Sequence, residues 1–247
     1  MKPLVPALAA LMLASAVPPV AAAEAPAMLQ LASAQQDDAG FLFILGLMEG
    51  HLAIGHELIQ ADKPKLGLPH FGHPVRELYD DLRDELAKRH VADFEDALAD
   101  LEAAVAKAPR AAETEAKYQA VVAAVARARA SVPASVRQSV PEMIKICADT
   151  LEAAAGEYGE AIDKGRLENL GEYHDSRGFV GAVTRQVAEL ENGNPAAQDA
   201  EMIGRFKAVL AKVQAIVAPL LPPSTPPKSA AEYRAIAHEA QAVVQPR

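Results

Sequence analysis

Apolar residues recur every third or fourth position along most of this chain, which is the signature of amphipathic helices. From Leu42 to Leu58 the pattern predicts one long helix, with Gly46 and Gly50 a turn apart on a face that lets a neighbouring helix approach closely. A loop with Pro64, Gly67 and Pro69 follows, and a new helix is expected to begin at Pro74, where proline suits the first helical position, and to run through Leu78, Leu82 and Leu86. Val91 to Ala108, with Phe94, Leu98, Leu101 and Val105 on one stripe, and Ala112 to Ser131, with Tyr118, Val121, Val122 and Val125, read as packing helices separated by Pro109. Beyond Pro133 and Pro141 a helix through Met143, Ile146, Cys147, Leu151 and Tyr158 is expected to stop near Lys164-Gly165. Glu172 to Glu191 and Ala197 to Ala218 follow, then a run with Pro219, Pro222, Pro223, Pro226 and Pro227 that reads as an extended spacer before a last short helix over Ala230 to Val244.

Composition agrees with this reading. Aromatic residues make up 4%, tryptophan is absent, and alanine, leucine, glutamate and lysine dominate, so strands lack their usual material. The expected class is all-α, a bundle of about seven or eight helices whose number permits two similar halves. The expected organisation is a signal peptide over 1–23, a helical bundle over 24–218, the spacer over 219–229 and the terminal helix over 230–247. The leader is read from Lys2, the apolar stretch Leu4 to Val17 and the small-residue site Ala21-Ala22-Ala23 before Glu24. That stretch is broken by prolines and shorter than the ~20 residues of a membrane span, so a soluble periplasmic protein without membrane insertion is expected.

Charge narrows the partners. The formal net charge is −9, and removal of the leader takes away Lys2 and no acid, leaving −10, which argues against nucleic acid and favours cations. With Cys147 as the single cysteine there is no internal disulfide, and its place on an apolar stripe marks a buried thiol rather than a nucleophile.

Against this plain background four of seven histidines fall between positions 51 and 73: His51, His56, His70 and His73, with Glu49 beside them. Imidazole is the commonest protein metal ligand, and its crowding near a carboxylate points to metal handling. On a regular helix Glu49 and His56 share a face, while His51 and His56 diverge by about 140° and cannot hold one ion together. His51 also fits a core histidine bonded to a carbonyl, and His70 a cap in a tight turn before Pro74. His90 reads as an exposed loop residue, and His238 lies beyond the proline spacer. Farther along, Glu172 and Asp175 are three apart on one face, with Ser176 beside them, and offer oxygens to a cation; acids in a first helical turn also simply complement the helix dipole.

The run Tyr158-x-x-Ala161-Ile162-x-x-Gly165 followed by Glu172-Tyr173, best over Glu157 to Phe179, resembles the extracytoplasmic helical regions of bacterial iron/lead permeases. The resemblance implies a periplasmic helical domain attached to, or working beside, uptake of ferrous or related divalent metal, and points to Tyr158, Glu172 and Tyr173, with Asp175 at a nearby acidic position. The transport motif, the membrane core and a haem-attachment motif of such systems are absent from the sequence. A second periplasmic helical family, the imelysin-type metallopeptidases, carries Gly-x-His-x-x-Glu, which neither Gly50-His51 nor His56-Glu57 matches.

Two function classes follow. One is a non-enzymatic metal-binding or metal-delivery accessory for iron, copper or zinc, with Glu49, His51, His56, His70, His73, Glu172 and Asp175 as candidate ligands and a membrane permease or other envelope protein as partner. The other is a non-catalytic helical scaffold whose histidines only bond backbone groups. The first predicts that Glu49, His51, His70 and His73 converge; the second predicts that they scatter.

Overall fold

A computed structural model describes residues 38–244, so the expected leader lies outside the described residues. The described chain is all-α apart from one two-stranded turn. Helix α1 (Asp38–Gln60) is its axis. It is nearly all apolar, and most of its length is buried. Among the described residues it alone is long and apolar enough to cross a membrane, but most of that apolar window is enclosed by the protein, as in a core helix.

Short helices α2 (Pro64–Gly67) and α3 (Pro69–His73) lead into a π-helical turn (Pro74–Leu78) and then α4 (Tyr79–Lys88). The helical path therefore begins at Pro69, not at Pro74 as the proline suggested. Pro74 has no N–H to donate, and the π turn that starts at it absorbs the missing bond within a continuing helix. The consequence is functional, because His70 and His73 sit inside a helix instead of in its approach loop. Helices α5 (Glu95–Lys107) and α6 (Ala112–Ala130) pack on each other, and α7 (Ala134–Arg137) connects them to the second half.

That second half contains four long helices: α8 (Val140–Glu160), α9 (Leu170–Asn192), α10 (Ala197–Ile216) and α11 (Ala230–Val244). Ser139 caps α8 by accepting from the Glu142 N–H at 3.5 Å, and Asn169 caps α9 by accepting from the Gly171 N–H at 3.0 Å. Helix α8 ends at Glu160, earlier than expected, because Lys164 and Gly165 both adopt positive φ (49° and 76°) and turn the chain into the antiparallel pair β1 (Ile162–Asp163) and β2 (Arg166–Leu167). The two halves of the chain are not alike: the first is one long helix with a series of shorter ones, the second a bundle of long ones.

The proline-rich segment is no free spacer. Tyr173 donates to the Pro219 carbonyl at 2.6 Å, Tyr158 to Lys228 at 2.9 Å, His174 Nε2–H to Leu220 at 2.9 Å, and Arg177 to Val217 and Ala218 at 2.7 and 2.6 Å. The Leu167 N–H donates to Ser224 at 2.8 Å. A strand or helix would satisfy these carbonyls with backbone donors; here side chains of α8 and α9 do so. The segment returns α11 onto α8 and α10, with Tyr233, Ala237 and Ala240 fully buried.

The halves join where α1 crosses α9. A Cβ built on Gly178 falls 2.5 Å from the Gly50 carbonyl oxygen, and one on Gly50 falls 2.6 Å from the Phe179 ring. Backbone contact this close admits only glycine at both positions. Of the two glycines read as a close-packing face, Gly50 makes the contact and Gly46 meets nothing within 4 Å.

Candidate metal centre

The glycine crossing brings two otherwise distant stretches of chain together. Asp175, one turn before Gly178 on α9, meets His51, the residue after Gly50 on α1. His51 donates its Nδ1–H to Asp175 Oδ1 at 2.6 Å, and His70, from α3, donates Nδ1–H to the same oxygen at 2.7 Å. His73, one turn farther along α3, places Nδ1 3.2 Å from Oδ2. His51, His70 and Asp175 are essentially sealed from solvent, whereas His73 keeps 18% of its side chain exposed. One ligand atom from each of the four lies within 4.8 Å of the others.

Carboxylate oxygens only accept, so the bonds to Asp175 fix the protonated nitrogen of His51 and His70 as Nδ1 and direct the other nitrogen, Nε2, elsewhere. Both Nε2 atoms are buried and without any hydrogen-bond partner. An unpaired buried nitrogen is costly, and metal-bound imidazoles characteristically donate their second N–H to a carboxylate. The donor set, three imidazoles and one carboxylate with no thiol, fits a divalent transition ion.

Burial opposes charge on Asp175, yet its interactions with His51, His70 and His73 hold its carboxyl well below the usual range. For His73 burial likewise pulls downward, but the Asp175 carboxylate 3.2 Å away, aided by Glu77, outweighs it and raises the imidazole. His174, the next residue, is lowered, chiefly by burial.

Around this core lies a second group of acids. Glu77 stands 3.9 Å from both His51 Nε2 and His73 Nδ1. Glu157 on α8 is buried, and desolvation, a hydrogen bond with Glu172 and the negative charges of Asp175, Glu172 and Glu77 push its carboxyl up to about 10. Its neutral form is therefore favoured. Glu172 accepts from Asn169 at 3.3 Å in the first turn of α9, as the dipole reading anticipates.

Of the candidates read from sequence, the fold brings His51, His70, His73 and Asp175 together. It places Glu49 and His56 elsewhere. Glu49 is held by both arms of the Arg129 guanidinium at 2.9 and 3.1 Å, and His56 bonds Glu115 at 2.9 Å and stacks on Tyr118. Glu172 lies beside Glu157, outside the converging group, and Ser176 bonds the Tyr233 hydroxyl at 3.3 Å. Tyr158 and Tyr173, to which the resemblance pointed, tie down the proline-rich strap. Sequence reasoning missed Glu77, Glu157 and His174. Glu77 follows His73 by four positions, a spacing that signals a shared face once the helix is known to continue through Pro74.

These four helices and their strap coincide with a known unit. Residues 133–246 match the iron permease-associated 4-helix bundle domain. The match bears out the resemblance read around Tyr158, Glu172 and Tyr173, and it runs through the strap and α11. The segment that matches this bundle contributes Asp175 to the cluster, with Glu157 and Glu172 nearby, while all three converging imidazoles come from outside it, from α1 and α3. No curated protein and no solved structure matches the chain.

Proposed function

We propose that this protein is a cell-envelope accessory of iron uptake that binds a divalent transition metal ion through the imidazoles of His51, His70 and His73, which Asp175 holds in place, and that it works beside a membrane permease. The observation that carries the reading is the convergence of three imidazoles on one buried carboxylate, with the Nε2 atoms of His51 and His70 left unpaired. The permease-associated bundle supplies the link to iron, and the acidic surface suits a cationic cargo. The mixed nitrogen and oxygen donors accept iron, copper or zinc, and intrinsic affinity rises toward copper whichever ion is carried in the cell. The protein's part is to sequester and position the ion; no step of bond making is assigned to it.

The test is elemental analysis and calorimetric titration of the metal-free protein with ferrous, cupric and zinc ions, beside a His51→Ala/His70→Ala/His73→Ala variant. Stoichiometric binding by the parent and its loss in the variant support the reading. Equal weak binding by both leaves a helical scaffold in which Asp175 and the imidazoles form a structural hydrogen-bond network, and removes the metal centre.

A further inference from the structure

The four converging groups share a weakness as a binding site for a hydrated cation: their carboxylate is sealed from solvent. Glu77 supplies what they lack. Its side chain is 38% exposed, and its two oxygens approach the cluster from the solvent side, Oε2 3.9 Å from His51 Nε2 and Oε1 3.9 Å from His73 Nδ1. Both separations are too long for hydrogen bonds, yet they lie within the span of two ligands on one ion whose bonds are ~2.0–2.2 Å. His51 is 1% exposed, and its Nε2 has no other partner because Nδ1–H is committed to Asp175. The neighbouring cation, Arg76, is engaged by Glu102 at 2.9 Å and leaves Glu77 free of an ion pair with lysine or arginine among the described residues. Glu77 also sits in the π turn Pro74–Leu78, a local irregularity of the kind often found at functional sites.

We infer that Glu77 is an additional metal ligand at this centre, the solvent-facing carboxylate that captures a hydrated divalent transition-metal ion and bridges it between His51 Nε2 and His73. This rests on the metal-binding reading above and adds to it a route. The ion exchanges its first water for the exposed Glu77 oxygen, then further waters for the imidazoles behind it. In this arrangement Asp175 orients His51 from the rear by accepting Nδ1–H, the carboxylate–histidine–metal pattern.

The test uses cobalt(II) as the probe, with the full chain in its metal-free form, because cobalt absorption reports ligand number and type. Glu77→Gln is compared with the parent, with Glu77→Asp, which keeps the carboxylate, and with Asp175→Asn. The expected result is that Glu77→Gln lowers affinity about tenfold or more, slows uptake in stopped flow and changes the visible spectrum, while Glu77→Asp restores much of each and far-ultraviolet circular dichroism is unchanged in both. Parent-like affinity, uptake rate and spectrum in Glu77→Gln overturn the role of Glu77 while leaving the buried site standing. If the parent itself takes up no cobalt, the metal-binding reading fails and this inference with it.

Discussion

The two halves of this protein divide the work at the centre unequally. Residues 133–244 form the regular part, four long helices whose tyrosines and caps are spent on holding their own connections, and they contribute a single carboxylate, Asp175, to the converging set. Residues 38–132 are irregular beyond α1, with two very short helices, a π turn and a proline in mid-path, yet they supply every imidazole of that set. Regular helices bury apolar stripes efficiently, but His51, His70 and His73 must point at one spot from two elements. The distorted path through Pro69–Leu78 makes that aim attainable. The segment that matches the permease-associated bundle therefore supplies the carboxylate, and the imidazoles sit on the segment outside it.

Breaking the one carboxylate should have the largest effect. Asp175→Ala leaves three imidazoles around an empty acceptor, and removal of one partner from a buried charged network costs about 3–5 kcal/mol. The metal-free variant should melt on the order of 10 °C lower, read by circular dichroism. The sign with pH follows from the depressed carboxyl: its stabilisation is present above the unfolded value near 3.9 and is lost as pH falls through the folded one, so the gap between parent and variant should close in acid.

The joint between the halves is the next target. Gly178→Ala drives a methyl into the Gly50 carbonyl and must part α1 from α9. Overpacking of this kind costs about 1–3 kcal/mol. It should also weaken metal binding, because Asp175 and His51 sit on the two helices being separated; unchanged calorimetric affinity would show that the crossing does not set the geometry of the centre.

Glu157→Gln sharpens the comparison from the bundle side. The buried carboxyl prefers to be neutral, so its contribution is favourable below the unfolded value and is lost as pH rises toward about 10. Glutamine never ionises. The metal-free variant should match the parent near pH 4 and melt progressively higher than it by pH 8. An equal offset at all pH values would contradict the charge-burial account.

The smallest effects are expected away from the centre. His56→Ala should leave metal affinity unchanged, since His56 is occupied by Glu115 and Tyr118. Cys147 is buried and its thiol is pushed up to about 12, chiefly by desolvation, so a thiol reagent should label it only on unfolding.

The helices were legible because each carries its own evidence: apolar positions at helical period, prolines at α-helical starts, and a glycine at the turn after α8. The last helix was read to begin at Ala230, where it does begin. The residue types of the centre were legible as well, since histidines crowded between positions 51 and 73 are conspicuous in an alanine-rich chain. Other features depend on partners remote in sequence. The proline-rich segment reads as an extended spacer, but sequence does not tell that Tyr158, Tyr173 and His174 satisfy its carbonyls.

Local sequence determined the helical class, most of the helices, and a supply of imidazoles and acids. Tertiary structure alone decided which of them meet. Periodicity places a side chain on a face of its own helix, but whether that face meets Asp175 across 124 residues of chain or Arg129 and Tyr118 on α6 depends on the docking of α1 against its neighbours. That docking is set by the contact of Gly50 with Gly178, which neither stretch of sequence reveals by itself.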